Sequence, residues 1–160
     1  MGPPAWLTDP RAFQQAVGTK GPLLGLDPGT RTIGVAISDV DWTLASALET
    51  IRRTKLVQDA HTLASIIDRE GVCGLVIGLP LNMDGSSGPR AQSVRGFRRS
   101  LSEHIALPML LWDERLSSAS AGDKLREGGA SRQARERLLD AAAAAEILTD
   151  AMRALRALNR

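Results

Sequence analysis

The first third of the chain alternates like strands, and the remainder switches between helical spacing and unbroken apolar runs. Leu23-Leu24-Gly25-Leu26 is apolar and stops at Asp27, after which Pro28-Gly29 turns the chain. Proline presets one φ and glycine readily follows with a positive one. From Thr32 to Ser38, Ile33, Val35 and Ile37 alternate with smaller or polar residues, the period of a strand with one well-buried face. Asp39-Val40-Asp41 reads as a turn leading to a third strand over 43–51, so the opening predicts an antiparallel meander.

Beyond residue 55 the period changes. Leu56, Ala60, Leu63, Ala64 and Ile67 recur on one helical face, and Gly71 is placed to end that helix. Residues 72–79 are nearly all apolar, as in a parallel strand covered on both faces. A glycine- and serine-rich loop then leads to Pro89, suited to the first position of a helix whose inner face is Val94, Phe97 and Leu101. Residues 107–112 form a second apolar strand ending in Asp113-Glu114-Arg115. The pattern predicts a helix over 117–127 halted by Gly128-Gly129, then a last helix capped by Ser131 and running through the alanines 141–145 toward Leu158. Residues 1–21 read mainly as an extension with a short helix around 9–17, leaving 22–160 as one domain. The expected fold class is α/β: a five-stranded mixed sheet, three antiparallel strands and then two parallel ones, flanked by helices. Strands one, four and five become parallel neighbours.

Composition narrows the function classes. Of 160 residues, 43% are hydrophobic and 24% charged, which suits a globular protein with a full core. Aromatic residues make up 3% with no tyrosine, so a broad base-stacking platform is not expected. The net charge of +2 is compatible with nucleic acid without requiring it. Cys73 is the single cysteine, which excludes an internal disulfide and a cysteine zinc site; it reads as a small buried hydrophobe. No apolar run approaches membrane-spanning length and no signal-peptide pattern opens the chain, so the expected location is cytoplasmic, with no membrane partner.

The parallel placement gives the acids their meaning. Asp27 and Asp113-Glu114 fall at carboxyl ends of parallel strands, the edge where open α/β sheets bind ligands. Converging carboxylates with open positions suit hard divalent ions, Mg²⁺ or Mn²⁺. Two such ions can activate water and stabilise the leaving oxygen of a phosphodiester. Adjacent strand residues point to opposite faces, so only one of Asp113 and Glu114 needs to face this edge. Asp140 has two readings, a third ligand or the N-cap of a shorter helix over 141–158, and spacing does not separate them. For phosphate, the candidates are the hairpin tip Gly29, Thr30 and Arg31, the loop residues Asn82, Gly85 and Ser87, and the basic residues Arg90 and Arg115.

Four stretches then resemble one family in order. Residues 25–39 (Gly-Leu-Asp-Pro-Gly-Thr-Arg-Thr-Ile-Gly-Val-Ala-Ile-Ser-Asp) resemble the opening motif of the YqgF, or RuvX-like, family. Val76-Ile77-Gly78-Leu79-Pro80-Leu81-Asn82-Met83-Asp84-Gly85 with Gly88-Pro89 resembles its second motif, Trp112-Asp113-Glu114-Arg115-Leu116-Ser117 its third, and Asp140 with Ala143-Ala144 and Ile147-Leu148 its last. The family is described both as Holliday junction resolvases and as pre-16S rRNA nucleases. The resemblance implies an RNase H-like fold and a metal-dependent nuclease, with Asp27, Glu114 and Asp140 as catalytic and metal-binding residues and Asp113 as rival to Glu114. It further implies RNA partners (pre-16S rRNA in ribosomal precursor particles) or else branched DNA, handled by a monomer or a homodimer.

Overall fold

The computed structural model describes residues 3–116 and 132–159 of the chain, and side chains within 3–115 and 139–159. The helix expected over 117–127, its Gly128-Gly129 stop and the Ser131 cap lie outside the described residues. Five strands form one sheet: β1 (Leu23–Pro28), β2 (Thr32–Ser38), β3 (Ala45–Arg52), β4 (Gly74–Leu79) and β5 (Met109–Asp113). Their order across the sheet is β3-β2-β1-β4-β5. The first three pair antiparallel, and β4 and β5 are parallel to β1, which is the expected mixed sheet. A register shift between Val35 and Ala36 bulges β3, where Glu49 and Ala47 are the successive partners.

Strand alternation sends apolar side chains to both faces. On one face Leu24, Leu26, Ile33, Val35, Leu75, Ile77, Met109 and Leu111 meet the inner residues of α2 (Leu56–Glu70) and α3 (Pro89–Leu101), among them Leu63, Ile66, Val94 and Phe97. Gly71 ends α2 in the left-handed region at φ 67°, and Pro89 starts α3, as the sequence predicts. The other face carries Leu23, Ala36, Val76, Leu110 and Trp112, covered by Ala144, Ile147, Leu148, Ala151, Met152 and Leu155 of α4 (Arg132–Ala157).

The helix α4 lies unusually close to the sheet. A Cβ on Gly34 would fall 1.9 Å from the Asp140 carbonyl oxygen, and one on Gly25 would fall 2.9 Å from Leu148 Cβ. Glycine in a strand interior often marks such a backbone approach. Ahead of the sheet, a helical turn (Ala5–Leu7) and α1 (Pro10–Val17) pack onto the fold: Leu7 joins the first core and Phe13, fully buried, the second. The absent side chain of Gly74 leaves the room that Phe13 and Val17 fill. The N-cap of α1 is Asp9, which accepts from the Arg11 N–H at 3.0 Å.

Candidate functional site

The β1–β2 hairpin places Asp27 on the α4 face of the sheet, in the alternation set by Leu23 and Gly25. Its cross-strand partner is Gly34, the residue on which the Asp140 backbone rests. Asp140 therefore sits beside Asp27, well inside α4 rather than at its start. That removes the reading of Asp140 as the N-cap of a helix over 141–158. Its Oδ2 accepts from Thr32 Oγ1 at 2.5 Å.

β5 separates the two neighbouring acids. Trp112 faces α4, so Asp113 continues the alternation toward the opposite face. The chain then enters a helical turn (Glu114–Leu116), and Glu114 comes back over the α4 face. A Cβ on Gly78 of β4 would meet Glu114 Oε1 at 2.6 Å, so the bare glycine is what lets that side chain cross the strand toward Asp27. Asp27 and Glu114 share a hydrogen bond in which the Glu114 carboxyl donates. Asp113 is held elsewhere: Arg115 Nε and Nη2 donate to its two oxygens at 3.0 and 2.6 Å. This bidentate pairing holds the Asp113 carboxyl below its ordinary range.

Crowding of acids shows in their proton affinities. Burial raises Asp27, and the charge of Asp140 raises it further. Burial also pushes Glu114 up to about 7, with the Asp27 charge and the shared hydrogen bond adding to the shift. Arg90, at the start of α3, opposes both shifts, so its guanidinium lies within electrostatic reach of the pair. Oxygen-only donors of this kind suit a hard divalent ion. As the side chains stand, no group of three or more His, Cys, Asp or Glu among the described residues is arranged to hold an ion. Asp27 and Glu114 face each other, and Asp140 is turned to Thr32.

The remaining candidates fall into two groups. The loop after β4 spends its polar groups on itself. The Asn82 N–H donates to Ser86 O at 2.9 Å, the Gly85 N–H to Asn82 O at 2.8 Å, and the Ser86 N–H to Asp84 Oδ1 at 2.9 Å. Gly85 sits at φ 88°, where a side chain would be strained, and Ser87 Oγ accepts from Arg95. Arg115 ties this loop to β5 by donating to Met83 O at 3.0 Å. Asn82 and Gly85 thus spend their backbone donors inside the loop, and Ser87 Oγ is engaged by Arg95. By contrast Gly29, Thr30 and Arg31 form the hairpin tip, with the Gly29 N–H donating to Thr32 O at 2.8 Å. Thr30 and Arg31 are exposed.

Sequence reasoning did not single out three residues that matter to this geometry. Thr32 orients Asp140, and Gly78 admits Glu114. Arg53, just past β3, donates from Nη1 to Gly29 O at 2.6 Å while its guanidinium lies 5.0 Å from the centre of the Phe97 ring. A glycine inside an otherwise apolar strand was the available signal for Gly78; a lone arginine after a strand carries none.

Comparison with known proteins completes the description. A family model described as RuvX, Holliday junction resolvase, matches residues 21–154. The chain is 49% identical over 142 residues to a Zymomonas mobilis protein named "Putative pre-16S rRNA nuclease", covering 89% of this chain and 86% of that one. A Paracoccus denitrificans protein of the same name is 49% identical over 148 residues, covering 92% and 94%. Among solved structures, Thermus thermophilus RuvC in complex with a Holliday junction aligns with a TM-score of 0.54 at 15% identity, covering 85% of this chain and 96% of that one. That likeness shows the shared RNase H-like fold.

Proposed function

The chain belongs to the RuvX family, and from that premise we propose that it is a divalent-metal-dependent nuclease acting on structured nucleic acid, with precursor 16S rRNA as its substrate. The observation that carries the reading is the meeting of Asp27, Glu114 and Asp140 at one sheet edge, brought from β1, the end of β5 and the interior of α4. Side by side and partly buried, such acids repel one another unless protons or cations intervene.

Asp27, Glu114 and Asp140 would hold the ions. When bound, Mg²⁺ or Mn²⁺ supplies the Lewis acid that activates water and stabilises the leaving oxygen. The rest falls to the chain's own groups. Arg90 lies within reach of the acidic pair and offers a counter-charge to an incoming phosphodiester. Thr32 fixes the rotamer of Asp140, and Arg115 withdraws Asp113 from the cluster. Glu114 exchanges its proton as the site charges. The curated relatives' name favours RNA as substrate.

The family description supports a second reading, cleavage of four-way DNA junctions, which needs two coordinated cuts and so predicts a two-fold dimer. One experiment separates the two: precursor rRNA and a four-way junction are incubated with Mn²⁺ or Mg²⁺, using the wild type and Asp27→Asn. The expected result is RNA cleavage that needs the metal and falls at least a hundredfold in Asp27→Asn, whose fold is retained by circular dichroism. Junction cleavage alone moves the assignment to DNA, and full activity of Asp27→Asn removes the metal-site reading.

A further inference from the structure

We propose that Arg53, together with Arg90 and Ser93, forms a subsite that grips one backbone phosphate of the nucleic acid, beside the bond that is cut. The inference rests on the nuclease reading above. Its basis is a cavity of about 30 Å³ between the hairpin tip and the first turns of α3, walled by Pro28, Gly29, Thr30, Arg53, Arg90 and Ser93. That volume takes a water molecule or one phosphoryl oxygen and excludes a base or a sugar.

Two cations share this small space with no acidic residue in its wall. Arg53 is half-buried, and its position is fixed twice, by the hydrogen bond to Gly29 O and by stacking on the buried ring of Phe97. A guanidinium has five N–H donors. One of them serves Gly29, and among the described residues the others have no partner. A stacked, pre-oriented fork with spare donors is the arrangement that recognises phosphate at low entropic cost. Arg90 lines the same cavity and also exerts its charge on Asp27 and Glu114, which sets the subsite next to the acidic edge. Ser93 lies one helical turn after Arg90 on α3, with an exposed hydroxyl able to complete the cradle. The backbone also ties Arg53 to the tip, its N–H donating to Arg31 O at 2.8 Å. A phosphate bound there would therefore be held in register with the hairpin that carries Asp27.

The test measures binding rather than cleavage. Fluorescein-labelled precursor-16S RNA and a labelled four-way DNA junction are titrated in EDTA at a series of KCl concentrations, against the wild type, Arg53→Met and Ser93→Asp. Arg53→Met keeps the length and the apolar contact with Phe97 while removing the donors. Ser93→Asp sets a negative charge in the cradle from an exposed helical position, so the fold tolerates it. Both variants should weaken binding about tenfold near 0.1 M salt, and Arg53→Met should flatten the slope of log Kd against log salt by roughly 0.7–0.9, the loss of one phosphate contact. Salt lines parallel to the wild type with unchanged Kd, even alongside a lower melting temperature, would reduce Arg53 to a tie for the hairpin and overturn the subsite. Wild type that binds neither nucleic acid at any salt would overturn the nuclease reading with it, whereas wild-type binding with unaffected variants removes the subsite alone.

Discussion

Asp113 and Glu114 are sequence neighbours with opposite surroundings, one neutralised by Arg115 and one pressed against Asp27. The difference arises because β5 ends between them: strand alternation directs the first, and the following helical turn returns the second. From sequence the two were rivals, since alternation says that one must turn away without saying where the strand stops. The consequence for pH is specific. Glu114 holds its proton to about 7 in the folded chain against an ordinary carboxyl value of 4.5, so the folded state binds more protons than the unfolded one in between. Stability from this group is therefore full below about pH 4.5 and is lost as pH rises through about 7. In metal-free protein the melting temperature should fall between pH 5 and pH 8, and Glu114→Gln should flatten that fall. A wild-type profile that is level or rising would contradict the shared-proton arrangement.

At the level of elements, the seating of α4 decides whether the site exists. Gly25, Gly34 and Gly78 strip side chains from β1, β2 and β4 where the helix and Glu114 cross them. Gly34→Ala would set a methyl 1.9 Å from the Asp140 carbonyl oxygen, a backbone atom with no rotamer to yield. It should destabilise by about 3 kcal/mol or more and displace Asp140 from Asp27, read as a lower urea midpoint and loss of cleavage. Gly96→Ala in α3 is the control, because its nearest outside atom is the flexible end of Arg99 at 3.9 Å. That change should stabilise by about 0.5–1 kcal/mol, the cost of glycine in a helix interior. The sequence displayed these glycines, and the alanines 141–145 opposite them, but not which would touch. Asp140 stayed ambiguous for the same reason: an aspartate ahead of an alanine run fits a cap as well as an inner turn, and only the helix start at Arg132 decides.

For the molecule as a whole, strand order and the mixed pairing were legible because period and length are strong signals in strands buried on both faces. What period could not convey was contact between distant segments. Phe13 is one apolar residue in a short helix, yet it is fully buried beneath α4 and against Gly74. Phe13→Ala should cost about 3–5 kcal/mol in urea unfolding, a core-sized loss from a residue ahead of the sheet. A change below 1 kcal/mol would mean that α1 only rests on the surface. Arg53 was equally invisible, since its importance lies in what it stacks on and whose carbonyl it holds.

The seating of Asp140 against the first hairpin also sets an order in which the acids are brought together. Thr32 and Asp140, joined by one hydrogen bond, are 108 positions apart in the chain. Chains fold as they emerge, amino end first. The sheet residues, which end at Asp113, are therefore all made before the third acid. Under the proposed reading, a growing chain gains the third acid of its cutting edge only after every residue of the sheet has been made.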